Sequence, residues 1–317
     1  MRKFHNILVI IESRQMRQPA LERALAIAQA LGRDKVHITA VMPVFDFSWD
    51  LTSILSVEQE EKMKDSVVTK YQKWLHGYLK INAMGYDIDE QIVWSKTIGK
   101  DITRIAKEIS ADLIIKASDI HGMLDSVLFT PLDWQLLRHS PVPVLIAKDQ
   151  LWQPEGIIAV AIDLSDPEDM ELRYINMRLL REAQEIATIT RCQIHLVNAI
   201  PPIMPPASID LPGFTPDLIG EEALKEGCKN VLSFAARHRI TPERCHIREG
   251  QPDEVIPTLC TELKPTMLFI GTSARRGIAV ALVGNICERV IDELNCDVAV
   301  ITPKAVLGRI PFATEKE

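Results

Sequence analysis

Cysteine is missing from the first half of the chain: all six, Cys192, Cys228, Cys245, Cys260, Cys287 and Cys296, lie in the second half. No CxxC pair or scaffold-like spacing links them, which argues against a cysteine-stapled secreted fold and predicts reduced thiols in a cytoplasm. Long hydrophobic runs are also lacking. The apolar run from Ile7 to Ile11 is too short for a secretory core, and no segment reaches the length of a membrane span. Basic residues are outnumbered, 36 Lys and Arg against 43 Asp and Glu, for a formal net charge of −7. Such a field repels phosphate polymers and anionic membranes, so neither nucleic acid nor a membrane is expected as a partner. No Walker GxxxxGK[ST], GxGxxG or HExxH motif occurs. The run Gly271-Thr272-Ser273-Ala274-Arg275 has the outline of a nucleophile elbow, but Arg275 stands where the second glycine must be.

What is present is a repeat. With 317 residues, 47% of them hydrophobic, the chain accommodates two domains with their own cores. Residues 113–146 align without gaps on 268–301, at an offset of 155 that pairs Gly122 with Gly277. Residues 6–12 (NILVIIE) match 157–163 (IIAVAID) at 151, and 36–41 (VHITAV) match 194–199 (IHLVNA) at 158. The expected boundaries are a first domain over 1–149, a linker over 150–156, a second domain over 157–303 and a tail over 304–317.

Apolar runs predict strands near 6–11, 36–42, 90–95, 112–117 and 142–147, and near 157–163, 192–199, 244–248, 266–271 and 297–302. Their near-continuous apolarity fits strands buried on both faces, and the helical patterns between them predict two tandem doubly wound α/β domains. Each would have a five-stranded parallel sheet with helices on both faces. Ser56 and Gln59 form a capping-box signature for a long helix ending near Gly85; Thr215 and Pro216 open its counterpart. In such folds ligands bind beyond the carboxyl ends of the strands.

There the second repeat has Gly271-Thr272-Ser273-Ala274, nine residues, then Gly284-Asn285 ahead of a helix, the outline of a phosphate cradle. Taken alone, Gly271 and Gly284 favour the simpler reading of tight strand-to-helix turns. At the end of the first strand of this repeat stands Asp163, followed by Ser165. Cys192 and His195, like Cys245 and His246, should point to opposite strand faces and form no chelate; no metal-ligand or catalytic set is expected.

The glycine spacing resembles the nucleotide motif of the universal stress proteins. Residues 43–56, 127–144 and 290–301 extend the resemblance to the tandem E group of enteric bacteria. It implies a stress-response protein with an adenine-nucleotide site, for ATP or a relative with accompanying magnesium. The site would comprise Asp163, Ser165, Ala199, Gly271, Ala274, Gly284, Asn285 and Ile286, with the Ala199–Ile200 backbone flanking adenine. Ala274 departs from a motif glycine, a strain of about 1–2 kcal/mol if the backbone there is left-handed. Asn285 replaces a hydroxyl residue but can cap a helix. Arg275 and Arg276 could reach phosphates or remain solvated.

In the first repeat the matching residues are Lys116, Asp119, Phe129 and Thr130, with Glu12 opposite Asp163, so no nucleotide is expected there in the same mode and the pocket is filled or adapted to something less polar. The readings left open are a nucleotide-responsive binding module, a slow ATP hydrolase using Asp163, and a scaffold with two vestigial pockets. The resemblance also implies an internal pseudo-dimer through strands 142–147 and 297–302, with homodimerisation undecided.

Overall fold

The alternation of short β-branched runs with amphipathic stretches produces the same α/β unit twice. A computed structural model of the chain describes residues 4–13, 15–46, 56–118, 131–152, 155–202, 216–272 and 285–302. It divides into two compact units, Met1–Asp149 and Gln150–Glu317. Among the described residues no helix is long and apolar enough to cross a membrane.

In the first unit, β1 (Asn6–Ile10), α1 (Pro19–Leu31), β2 (His37–Phe45), α2 (Val57–Asn82), β3 (Asp87–Ser95), α3 (Ile98–Glu108), β4 (Leu113–Ala117), α4 (Pro131–His139) and β5 (Val144–Ala147) follow one another. The strands pair in parallel, in the order β3-β2-β1-β4-β5. The second unit repeats this with β6 (Ile157–Ala161), α5 (Met170–Thr190), β7 (Gln193–Ile200), α6 (Pro216–Arg237), β8 (Cys245–Glu249), α7 (Pro252–Leu263), β9 (Met267–Gly271), α8 (Asn285–Glu293) and β10 (Asp297–Ile301). Its order is β8-β7-β6-β9-β10, again parallel. The central strands β1, β4, β6 and β9 carry almost wholly buried apolar runs, as sheets covered on both faces require.

Expected boundaries shift at the end of β2, which runs to Phe45 rather than 42, at the start of β3 and at the end of α2. Strand β3 begins at Asp87 rather than near residue 90, because it pairs only with β2 and its first half alternates exposed and half-buried residues. An apolar run marks only its more buried half. Helix α2 carries the expected capping box, with Ser56 Oγ accepting from Gln59 N–H (3.3 Å) and Gln59 Oε1 from Ser56 N–H (2.9 Å). It ends at Asn82. Helix α6 starts at Pro216; Thr215 lies outside the described residues.

The repeat register needs correction. Asp112 N–H donates to Asn6 O, and Thr266 N–H donates to Ile157 O. Ile7 pairs with Leu113, and Ile158 with Met267. With residues 6 and 157 equivalent, these pairs set the fourth strands at an offset of 154, not 155. The second strands correspond at 156, not 158, because Ile7 pairs with Ile38 and Ile158 with Ile194. A two-residue slip keeps every side chain on its face, but a one-residue slip exchanges the faces. Ala117, not Lys116, therefore occupies the place of Gly271, and Lys116 that of Ile270. Helices α4 and α8, starting at Pro131 and Asn285, keep the offset of 154.

Gly271 has a packing role of its own. A Cβ there would lie 2.9 Å from Ile175 Cγ1 and 3.5 Å from Leu179 Cδ1, so its hydrogen lets α5 close on β9. In the first domain α1 carries Ala20, Ala24 and Ala28 among its buried residues. Gly271→Val is expected to destabilise the second domain by about 1–3 kcal/mol, the usual cost of overpacking, with part of the loss recovered by Ile175→Ala. Urea unfolding checks this; an unchanged midpoint in Gly271→Val would remove the packing role.

Candidate functional site

The strand order reverses between β6 and β9, which makes their carboxyl ends the crevice where doubly wound folds bind ligands. The chain leaves β6 through Ile162, Asp163 and Ser165, and two buried asparagines fix its path. Asn176 of α5, 1% exposed, donates from Nδ2 to Asp163 O (2.6 Å) and accepts at Oδ1 from Asp163 N–H (3.1 Å). Asn198 of β7 donates from Nδ2 to Ile162 O (2.8 Å). The carboxylate of Asp163 then accepts Ser165 N–H at Oδ1 (3.0 Å), closing an Asx-type turn. Backbone groups that have left the ladder are thus satisfied by side chains, which holds the half-buried Asp163 in one place.

Across the crevice β9 ends at Gly271, and Thr272 N–H donates to Ile301 O (3.1 Å). Thr272 is 5% exposed, and its hydroxyl has no hydrogen-bond partner among the described residues. Leaving a buried hydroxyl unpaired costs about 1–3 kcal/mol, and the same feature recurs in the first domain, where the hydroxyl of Ser118, 7% exposed, also has no partner among the described residues. Ala199 sits half-buried on β7 opposite Arg248, next to the β6 end. The first turn of α8 begins at Asn285 and continues through Ile286, which supplies helix N-terminal amides on the β9 side. Ala274, Gly284 and the side chains of Asn285 and Ile286 lie outside the described residues, as do Arg275 and Arg276. The structure therefore brings Asp163, Ser165, Ala199 and Gly271 to one end of the sheet.

Asn176, Asn198 and Thr272 were not among the residues read from the sequence. A signal was there: Asn176 interrupts the buried face formed by Ile175, Leu179 and Leu180, and Asn198 interrupts the apolar run of β7. A polar side chain at a core position must have a backbone group to bind.

The first domain solves the same problem with different residues. Gln18, 1% exposed, accepts Glu12 N–H at Oε1 (2.9 Å) and donates from Nε2 to Glu12 O (2.6 Å) and Gln15 O (2.9 Å). Here the resemblance ends. Lys116, 1% exposed, places Nζ 3.3 Å from Glu12 Oε1, 3.1 Å from Asp133 Oδ1 and 3.0 Å from Ala117 O. In the corrected register its counterparts are Ile270 and, for Asp133, Cys287, both apolar and buried. Pro131 also opens α4 where Asn285 opens α8, removing one N–H from that helix N-terminus. Asp119, Phe129 and Thr130 lie outside the described residues. A chain-borne ammonium thus joins the ends of β1 and β4 through ion pairs.

Comparison with known proteins agrees with this duplicated architecture. The family model described as the universal stress protein family matches twice, over residues 3–148 and 157–302. Universal stress protein E of Photorhabdus laumondii is 35% identical over 319 residues, 99% of this chain and 100% of that one. Its counterpart in Escherichia coli is 34% identical over 306 residues, 96% of this chain and 95% of that one. Among solved structures, a functionally unknown protein from Pseudomonas aeruginosa PAO1 superimposes with a TM-score of 0.71 at 25% identity, covering 96% of this chain and 95% of that one. A universal stress protein from Archaeoglobus fulgidus, 14% identical with a TM-score of 0.63, covers 95% of this chain and 99% of its own and shares the fold. Two matched domains and full-length relatives at this identity place the chain in the universal stress protein family, in its tandem form.

Proposed function

We propose that the second domain holds an adenine nucleotide, ATP or a relative, and that the chain acts as a cytoplasmic stress-response binding module whose occupancy biases its shape or partner surface. The observation that carries this reading is the Asp163 turn, fixed by Asn176 and Asn198 at the point where the strand order reverses. A carboxylate there is an acceptor for both ribose hydroxyls. The Ala199–Ile200 backbone would flank adenine, and the Thr272 hydroxyl with the amides at the start of α8 would face the phosphates. Magnesium would arrive on the phosphates, which carry the charge it needs. These residues bind and orient; the reading assigns none of them a bond-breaking role.

The first domain is read as closed to the same ligand. Lys116 supplies a resident cation to Glu12 and Asp133, at the place where the second domain has the uncharged Ile270 and Cys287.

Equilibrium dialysis with labelled ATP should give one site per chain. Asp163→Ala should weaken it about tenfold or more, the worth of one or two hydrogen bonds to a charged group, while Glu12→Ala leaves it unchanged. No binding at millimolar ATP would overturn the proposal. Separately, Lys116→Met should destabilise the first domain by about 3–5 kcal/mol by stranding the carboxylates of Glu12 and Asp133. The double substitution Lys116→Ile with Asp133→Cys, which copies the second domain, should recover most of that loss in urea unfolding; an unaffected Lys116→Met would show that the ion pairs do not hold the pocket shut.

A further inference from the structure

His195 of β7 and His246 of β8 meet across strands, with Nδ1 of the first 2.9 Å from Nε2 of the second. Their ring planes are parallel within 4° and the centroids are 5.1 Å apart. That separation is close to the N···N distance plus one ring radius at either end, so the rings lie side by side in a common plane and their nitrogens point at each other. An in-line N–H···N bond holds one proton in the gap: with none, two lone pairs face each other, and with two, two N–H groups collide. A metal between them would need about 2.0–2.1 Å to each nitrogen, more than this gap allows along a line. The geometry is that of a proton site.

Charges from three elements bear on the pair. Burial holds His195 below the ordinary histidine range, and His246 and Arg244, in the 3-10 turn before β8, push it the same way. Burial also lowers His246, but Glu262 of α7 pulls it back up. Glu262 is itself bound by Arg248 of β8 through two contacts of 3.0 Å. Burial raises the neighbouring Cys245 thiol, which keeps it neutral. One extra proton leaves the bond intact, because the doubly protonated ring still donates N–H into the gap and the nitrogen of the other ring accepts. A second proton can go only to that accepting nitrogen, and breaks the bond.

We propose that His195 and His246 form a proton-operated clasp between β7 and β8, closed with one extra proton or none and opened by a second. Among the described residues of the second domain β8 pairs only with β7, so an open clasp loosens the strand that leads into α7. The sign follows from proton counts. Both histidines bind protons less readily folded than unfolded, so local unfolding takes up protons. Protection of β8 is complete above the ordinary histidine value of about 6.5, falls as pH drops through it, and levels off below the folded values. The clasp does not depend on nucleotide binding.

The first domain provides the control residues, because the paired registers set Thr39 opposite His195 and Gln91 opposite His246. Amide hydrogen exchange over residues 245–249 of the full chain, corrected for intrinsic rates, should show protection about tenfold lower at pH 5.0 than at pH 7.5. His246→Gln and the double substitution His195→Thr with His246→Gln should each reduce that ratio to less than about twofold. In imidazole NMR, the His195 titration should move upward in His246→Gln. Equal protection at the two pH values, or a wild-type ratio in a folded His246→Gln chain, would overturn the clasp.

Discussion

A strand that ends in the middle of a parallel sheet leaves backbone donors and acceptors without a ladder partner, in surroundings that water barely reaches. The site depends on how that is resolved. In the second domain Asn176 and Asn198 supply the missing bonds, and in the first Gln18 does. The side chain after the strand, Asp163 or Glu12, is thereby held where the strand order reverses. The clamps occupy different places, well inside α5 in one case and immediately before α1 in the other. What the two domains share is the buried amide contact, not the residue or its position.

The same physics explains what could be read from the residues alone. Alternating strand and helix patterns, the capping box at Ser56 and Gln59, and the acidic residue after β6 each have a local cause that survives folding. Register does not. In β4 and β9 both faces are buried, so the run Leu-Ile-Ile-Lys-Ala carries no alternation to fix its parity against Met-Leu-Phe-Ile-Gly. A gapless match one residue out therefore looks as good as the true one until hydrogen bonds decide. That slip set Lys116 against Gly271 and hid the meaning of both: one completes a buried ion cluster, and the other admits Ile175.

Contacts between distant strands were equally hidden. Residue parity separates Cys192 from His195 and Cys245 from His246, which rules out the pairs close in sequence and says nothing of pairs across strands. His195 and His246 meet only because β7 and β8 lie side by side in a particular register. Asn176 and Asn198 are similar cases, since an asparagine in an amphipathic segment ordinarily faces solvent.

The ammonium of Lys116 has a further consequence for the tandem as a whole. Because it is tethered to the backbone, its local concentration at Glu12 and Asp133 does not vary with the solutes around the protein. The first domain thus carries its own counter-ion at that end of its sheet. On the proposed reading, the half where Ile270 and Cys287 replace the charges is the one left to answer a solute.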